Sequence, residues 1–282
     1  MNFHKEPLIY TGEVHLKVTD LEKSVNYYKE VIGFKVLEKE SYKAILTADG
    51  KTPLLILEQP EQVTPKEPHR SGLYHFALLL PERADLGAII KHFIQHNVRI
   101  GASDHLVSEA LYLSDPDGNG IEIYIDRDPG VWHWENGKVA MSTDPLDGES
   151  IIAESVGRSW DGLPAGTVMG HVHLHVAHLP ETETFYNALG FEVVTTYPQA
   201  LFMSNGKYHH HLGLNTWNGV GAPRPSEDSA GLRSFTLIYP TETVLKEALA
   251  KAEALGAKVE SFGNEKLIED PSGNRIVLRV GN

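Results

Sequence analysis

No cysteine occurs among the 282 residues. Disulfides and thiolate ligands are therefore excluded, and any metal has to be held by nitrogen and oxygen. The absence also suits a reducing cytosol. No apolar run approaches the roughly 20 residues of a membrane-spanning helix. The opening Met1-Asn2-Phe3-His4-Lys5-Glu6-Pro7 has no apolar signal-peptide region, so a cytoplasmic location is expected. Positive charge is in deficit: 25 Lys and Arg stand against 38 Asp and Glu, a formal charge of -13 spread along the chain. Such a chain repels polyanions, which argues against nucleic acid and anionic membrane as partners. The remaining composition, 41% hydrophobic and 22% charged, is that of an ordinary globular protein. The length suits two compact units, each able to bury a core.

What is present is one weak unit written four times. Val18-Thr19-Asp20-Leu21, Tyr27-Tyr28 and Gly33-Phe34 recur as Val176-Ala177-His178-Leu179, Phe185-Tyr186 and Gly190-Phe191. Gly72-Leu73-Tyr74-His75-Phe76 and Asp115-Pro116-Asp117-Gly118-Asn119-Gly120-Ile121-Glu122 recur as Gly231-Leu232-Arg233-Ser234-Phe235 and Asp270-Pro271-Ser272-Gly273-Asn274-Arg275-Ile276-Val277. Where one copy has His75 and Glu122, its twin has Ser234 and Val277. A purely structural repeat has no reason to differ at just these two positions, whereas a metal centre does.

Each unit reads as strand, helix, strands. Val14 to Val18 alternates as a strand, Asp20 can cap a helix through Val25 and Tyr28, and Gly33 can end it. Tyr42 to Leu46 and Leu54 to Leu57 flank the turn Asp49-Gly50 as a hairpin. The second unit has Tyr74 to Leu80, a helix with apolar face Leu86, Ile89, Ile90 and Phe93, and strands around Ala110 to Leu113 and Gly120 to Ile125. In the fourth, Val244, Leu245, Ala248, Leu249 and Ala252 have helical spacing. The prediction is an α+β fold of four βαβββ modules: 8–126 holds two (about 10–60 and 72–126), and 169–282 holds two (about 169–217 and 231–282). The proline-punctuated connector 127–168 separates them, with one short helix around Ser150 to Val156.

These βαβββ units, the Asp-Pro-(Asp/Ser)-Gly-Asn turn and the Leu-x-x-(Ser/Thr)-x-x-(Tyr/Phe)-Tyr helix resemble the vicinal oxygen chelate superfamily of glyoxalases, bleomycin-binding proteins and extradiol ring-cleaving dioxygenases. Ser108 to Tyr124 and Gly170-His171-Val172-His173-Leu174-His175-Val176 are similar to bacterial catechol 2,3-dioxygenases of the CatE type. The resemblance implies two open β-barrels and an Fe(II)-dependent enzyme that opens catechol with O2 to 2-hydroxymuconate semialdehyde. It implies His75, Glu122 and His171 as metal ligands, with Glu13 as the alternative to His171. His171 requires modules two and three to share a barrel, a crossed pairing that departs from the family's adjacent ligand-bearing repeats. Two imidazoles and one carboxylate suit non-haem Fe(II) and leave positions for a catechol and dioxygen, although Mn(II) fits the same donors. The resemblance further implies His210 as acid/base, Tyr112 as catalytic group and hydrogen-bond partner of a substrate oxygen, and His105 as a substrate contact.

Plainer readings stand beside these. A carboxylate in the apolar strand Gly120-Ile121-Glu122-Ile123-Tyr124 is costly if buried alone, so Glu122 needs a metal or an ion pair. A lone histidine such as His75 is usually a satisfied core residue. Of His171, His173 and His175, only one need be a ligand. Strand alternation through His209-His210-His211 would turn His209 and His211 away from His210. His15, His69, His92, His96 and His133 read as solvated or structural, while Asn215 and Trp217 could line a pocket. Glyoxalase-type sites use a fourth ligand, usually a carboxylate, and Lys207 to Asn215 has no acid. A non-oxidative metal enzyme of the superfamily (isomerase or thiol transferase) and a non-catalytic aromatic- or drug-binding module remain the rivals. Homo-oligomerisation is left open.

Overall fold

A computed structural model of the chain describes residues 2–281. The first module comprises β1 (Tyr10–Lys17), α1 (Leu21–Tyr27), β2 (Lys35–Lys39), β3 (Lys43–Thr47) and β4 (Pro53–Glu58). The second comprises β5 (Gly72–Leu79), α2 (Arg83–Gln95), β6 (Gly101–Asp104), β7 (Ser108–Ser114) and β8 (Gly120–Asp126). The connector adds a small hairpin, β9 (Trp134–Glu135) and β10 (Lys138–Val139), and a helix, α3 (Gly148–Glu154). The third module is β11 (Val168–His175), α4 (Leu179–Ala188), β12 (Glu192–Tyr197), β13 (Ala200–Ser204) and β14 (Leu212–Asn215). The fourth is β15 (Gly231–Tyr239), α5 (Glu242–Ala254), β16 (Glu260–Phe262), β17 (Glu265–Glu269) and β18 (Arg275–Val280).

Local chemistry explains the boundaries. Asp20 accepts from the Lys23 amide at 3.0 Å and so caps α1, whose continuation Tyr28–Ile32 relaxes into a π-turn before Gly33 stops it at φ 95°. Asp115 accepts from the amides of Asp117 (2.9 Å) and Asn119 (2.8 Å), closing the turn that launches β8. Asp270 does the same for Ser272 and Asn274 before β18. Among the described residues no helix is long and apolar enough to cross a membrane.

The strands form two eight-stranded curled sheets, giving the two-part α+β architecture of a vicinal oxygen chelate fold. One runs β16-β17-β18-β15-β1-β4-β3-β2 and the other β12-β13-β14-β11-β5-β8-β7-β6. Modules one and four therefore share a sheet, and so do two and three. In each, the first strands of the two modules meet antiparallel at the middle: β11 faces β5 with His173 opposite His75, and β1 faces β15 with His15 opposite Ser234. Sequence neighbours stay linked by other means. Tyr28 in module one donates to Asp115 in module two at 2.9 Å, and Tyr186 in module three donates to Asp270 in module four at 3.2 Å.

Alternation along the central strands splits the residues between two faces. Phe76, Leu78, Ile121, Ile123, Val172 and Leu174 join the main apolar cluster with α2 residues Leu86, Ile89 and Phe93. A side chain of this size contributes roughly 1.5–3 kcal/mol by burial. The opposite face is left for polar groups.

Candidate metal centre and its cavity

The inner face of β5, β8 and β11 carries His75, Glu122 and His171. Their approach is set by register: Glu122 lies opposite Ala77 in the parallel β5–β8 pair, and a bulge between Met169 and His171 re-aims β11. His75 Nε2 is 2.9 Å from Glu122 Oε2, His171 Nε2 is 3.1 Å from the same oxygen, and the two Nε2 atoms are 3.3 Å apart. All three residues are buried. Burial opposes ionisation of Glu122, but the two imidazoles more than offset it and hold the carboxyl well below its ordinary range. Burial pushes His171 down to about 4, so it presents a neutral ring.

This donor set fits a divalent cation. Two donors bound at right angles, each about 2.1 Å from an ion, lie roughly 3.0 Å apart, and the observed triangle has edges of 2.9, 3.1 and 3.3 Å. Two neutral imidazoles and one carboxylate supply lone pairs toward a common point, and among the described residues this is the group of three or more such side chains that could hold an ion.

Beside the triangle lies a cavity of about 330 Å³, lined by His75, Glu122, His105, Tyr112, His173, Phe202, His210 and Trp217, among others. Glu122 is its sole carboxylate, and it has no lysine or arginine. Tyr112 on β7 lies opposite Glu122, and burial, with Glu122 beside it, raises its phenol well above the ordinary value. Tyr112 Oη is 2.6 Å from His105 Nε2, and His105 Nδ1 is 2.6 Å from the Ser142 carbonyl. That carbonyl only accepts, so Nδ1 carries the proton. The His105 Nε2 faces the Tyr112 hydroxyl, and the pair together lines the cavity. His210 lies tilted against His171, with ring centroids 4.1 Å apart, and is held uncharged by burial and the histidines around it. The structure thus brings His75, Glu122, His171, His105, Tyr112 and His210 to one place. Glu13 lies in the other sheet, paired with Arg279 at 2.8 Å.

One local expectation is corrected. Leu212–Asn215 is the extended segment, and the histidine run precedes it in a bend, so alternation does not sort these side chains. All three are buried. His209 points to its neighbour, with the two Nδ1 atoms 2.8 Å apart, while His211 reaches the Phe3 carbonyl at 3.1 Å. Asn215 ties His173 (2.9 Å) to His175 (2.7 Å) and does not line the cavity, whereas Trp217 does. His15, read as solvated or structural, lies half-buried with Nε2 2.9 Å from Glu58.

Sequence reasoning missed the connector's part, because a non-repeating segment carries no pattern. Met141 and Thr143 close one wall of the cavity, and Ser142 orients His105. It also missed Asp126, although Glu122, Tyr124 and Asp126 share one parity on β8 and so one face.

Residues 11–123 and 168–278 match the family model described as the Glyoxalase/Bleomycin resistance protein/Dioxygenase superfamily. The chain belongs to that superfamily. It is 43% identical over 276 residues to the catechol-2,3-dioxygenase of Bacillus subtilis (strain 168), covering 96% of this chain and 97% of that protein. Among solved structures, a putative dioxygenase from Bacillus subtilis superposes with a TM-score of 0.65 at 12% identity, covering 96% of this chain and 85% of that one. Glyoxalase I from Zea mays superposes with a TM-score of 0.59 at 17% identity, covering 96% and 92%. At such identities the two structures speak for the fold alone.

Proposed function

We propose that the protein is an Fe(II)-dependent extradiol dioxygenase that converts catechol and O2 to 2-hydroxymuconate semialdehyde. The observation that carries this reading is the His75, Glu122, His171 triangle opening onto a cavity with no second carboxylate. Three protein donors leave room at one ion for both oxygens of a catechol and for dioxygen. A fourth carboxylate ligand, the mark of the isomerase-type alternative, is missing from the cavity wall. The 43% identity to a catechol-2,3-dioxygenase across nearly the whole of both chains supports the same reaction.

A bound Fe(II) supplies the redox chemistry and the electrostatic pull that acidifies a coordinated hydroxyl. The chain supplies the rest. Phe202 and Trp217 offer apolar walls for a flat ring. Tyr112, whose hydroxyl lies 2.6 Å from His105 Nε2, hydrogen-bonds one oxygen of the substrate. His210, neutral and lining the same cavity, removes a proton from the substrate and returns it when the ring opens, the exchange imidazole is suited to. Burial of the triangle keeps bulk water from competing for the ion.

The test is oxygen uptake by protein loaded anaerobically with Fe(II) and mixed with catechol and air. Uptake of one O2 per catechol with a yellow ring-opened product is expected. Bound iron without uptake would move the reading to a non-oxidative member of the superfamily. Equal activity with Mn(II) would reassign the metal and leave the reaction in place.

A further inference from the structure

His210 faces the cavity, but behind it lies a polar row, buried at His209 and Tyr208 and half-buried at Asp126, that metal binding does not explain. Asp126, the last residue of β8, places Oδ1 2.7 Å from His209 Nε2. His209 Nδ1 is in turn 2.8 Å from His210 Nδ1. The same Asp126 oxygen receives the Tyr208 hydroxyl at 3.3 Å, and Tyr208 shares a 2.6 Å contact with the Tyr124 hydroxyl. Tyr208 lies against the His209 ring (centroids 4.1 Å), and Trp132 meets it edge-on at 5.2 Å, so His209 has one orientation. His210 makes no hydrogen bond through Nε2 to any described residue.

The donors and acceptors can be counted along this row. Asp126 Oδ1 accepts at 2.7 Å, so the His209 ring proton lies on Nε2. Its Nδ1 is then a bare lone pair. Two bare nitrogens would not sit 2.8 Å apart, so the proton on the imidazole–imidazole contact belongs to His210 Nδ1. His210 Nε2 is left without a proton, as an acceptor facing the substrate. The opposite tautomer would offer the substrate an N–H and could not begin by removing a proton.

We propose that Asp126 and His209 are positioning residues that fix His210 as its Nδ1–H tautomer, so that Nε2 meets the substrate as a base. This role rests on the ring-opening reading for its kinetic consequence, but the tautomer itself does not depend on it. Neither residue touches the cavity. Asp126 acts through two hydrogen bonds in series, in the way a carboxylate behind a catalytic imidazole fixes its tautomer.

The experiment is nitrogen-detected NMR of the full chain with ¹⁵N-labelled histidine, loaded with diamagnetic Zn(II) at pH 8, with His210 assigned by its loss in His210→Asn. A protonated Nδ1 and a bare Nε2 are expected in the wild type. In Asp126→Asn the side-chain amide can donate to His209, and the tautomers of both rings should invert or average. His209→Phe keeps the ring volume but releases His210, giving an averaged tautomer, and carries the test if Asp126→Asn does not fold. In the Fe(II) enzyme both variants should lose roughly 10- to 100-fold in kcat, part of the roughly 10²–10⁴-fold that one acid/base group contributes, with KM within about twofold. An Nε2–H tautomer in the wild type, or a variant that loses kcat while the tautomer stays as in the wild type, would overturn the proposal. An enzyme inactive toward catechol would leave the NMR outcome decisive for the relay and count only against the ring-opening reading.

Discussion

The two sheets are built on one plan and differ in what they do with their inner faces. Position by position, Gly170, His171 and His173 on β11 correspond to Gly12, Glu13 and His15 on β1, and His75 on β5 to Ser234 on β15. On the parallel partners, Glu122 and Tyr124 correspond to Val277 and Arg279. Where the sheet of modules two and three brings His75, Glu122 and His171 together, that of modules one and four pairs Glu13 with Arg279 at 2.8 Å and Glu58 with Arg233 at 3.1 Å. Polar groups on a concave face can be satisfied by each other or by an ion. Fold and register are common to both choices, so the chemistry is decided by a handful of side chains on a shared frame.

The sharpest way to break this contrast is to remove one ligand from each side. Glu122→Ala should weaken Fe(II) binding at least about 100-fold and abolish ring opening, while Glu13→Ala keeps its metal. Metal analysis after dialysis checks this, and equal loss from both variants would end the distinction. Next in size is a pair of glycine substitutions. A Cβ on Gly170 would lie 1.9 Å from Tyr124 Oη, while one on Gly12 meets the flexible end of Ile238 at 3.0 Å. Gly170→Ala should cost about 2–3 kcal/mol and Gly12→Ala under about 1 kcal/mol, measured by urea unfolding.

A smaller effect separates the sheets by pH. Burial, then Arg233 and Lys43, hold His15 at about 3 against an ordinary 6.5. The unfolded chain takes up a proton that the folded one refuses. The stability contributed by the neutral ring is therefore complete above pH 6.5 and falls as the pH drops toward 3, by up to about 1.4 kcal/mol per pH unit. His15→Phe should flatten the decline in urea midpoint between pH 6 and pH 4, and an unchanged slope would remove His15 from the account. Least of all, Arg279→Met should cost about 0.5–1 kcal/mol by leaving Glu13 half-buried and unpaired, with Glu13→Gln in the same chain restoring most of it. Metal content should stay constant throughout that cycle.

The four modules, their helices and the connector's short helix were legible in the sequence because alternation, capping and the Asp-Pro-x-Gly-Asn turn are local signals. The apolar face of α2 and the cap at Asp20 needed nothing beyond near neighbours along the chain. The pairing of modules two and three stayed open in the sequence, because Glu13 offered an alternative to His171; only the ligand chemistry of His171, His75 and Glu122 favoured it, and the sheet order decides it. What lay beyond reading depends on atoms that meet from distant segments. Asp126 and His209 are 83 residues apart, and no periodicity links them. The bend at His209 to His211 defeated alternation because the strand starts only at Leu212. Ser142's carbonyl orients His105 through the backbone, which no side-chain motif records.

The order of the modules across the two sheets is nested, with two and three enclosed between one and four. During synthesis the inner pair can close as soon as β14 has left the ribosome, while β1 must wait for β15 and β18. The sheet that carries His75, Glu122 and His171 is thus the first to be finished, and while β15 to β18 are still being made the nascent protein is a complete inner half carrying an open outer edge. A gene cut within the connector would leave each fragment with half of both sheets, so the pieces could bring His171 to His75 and Glu122 only by finding one another.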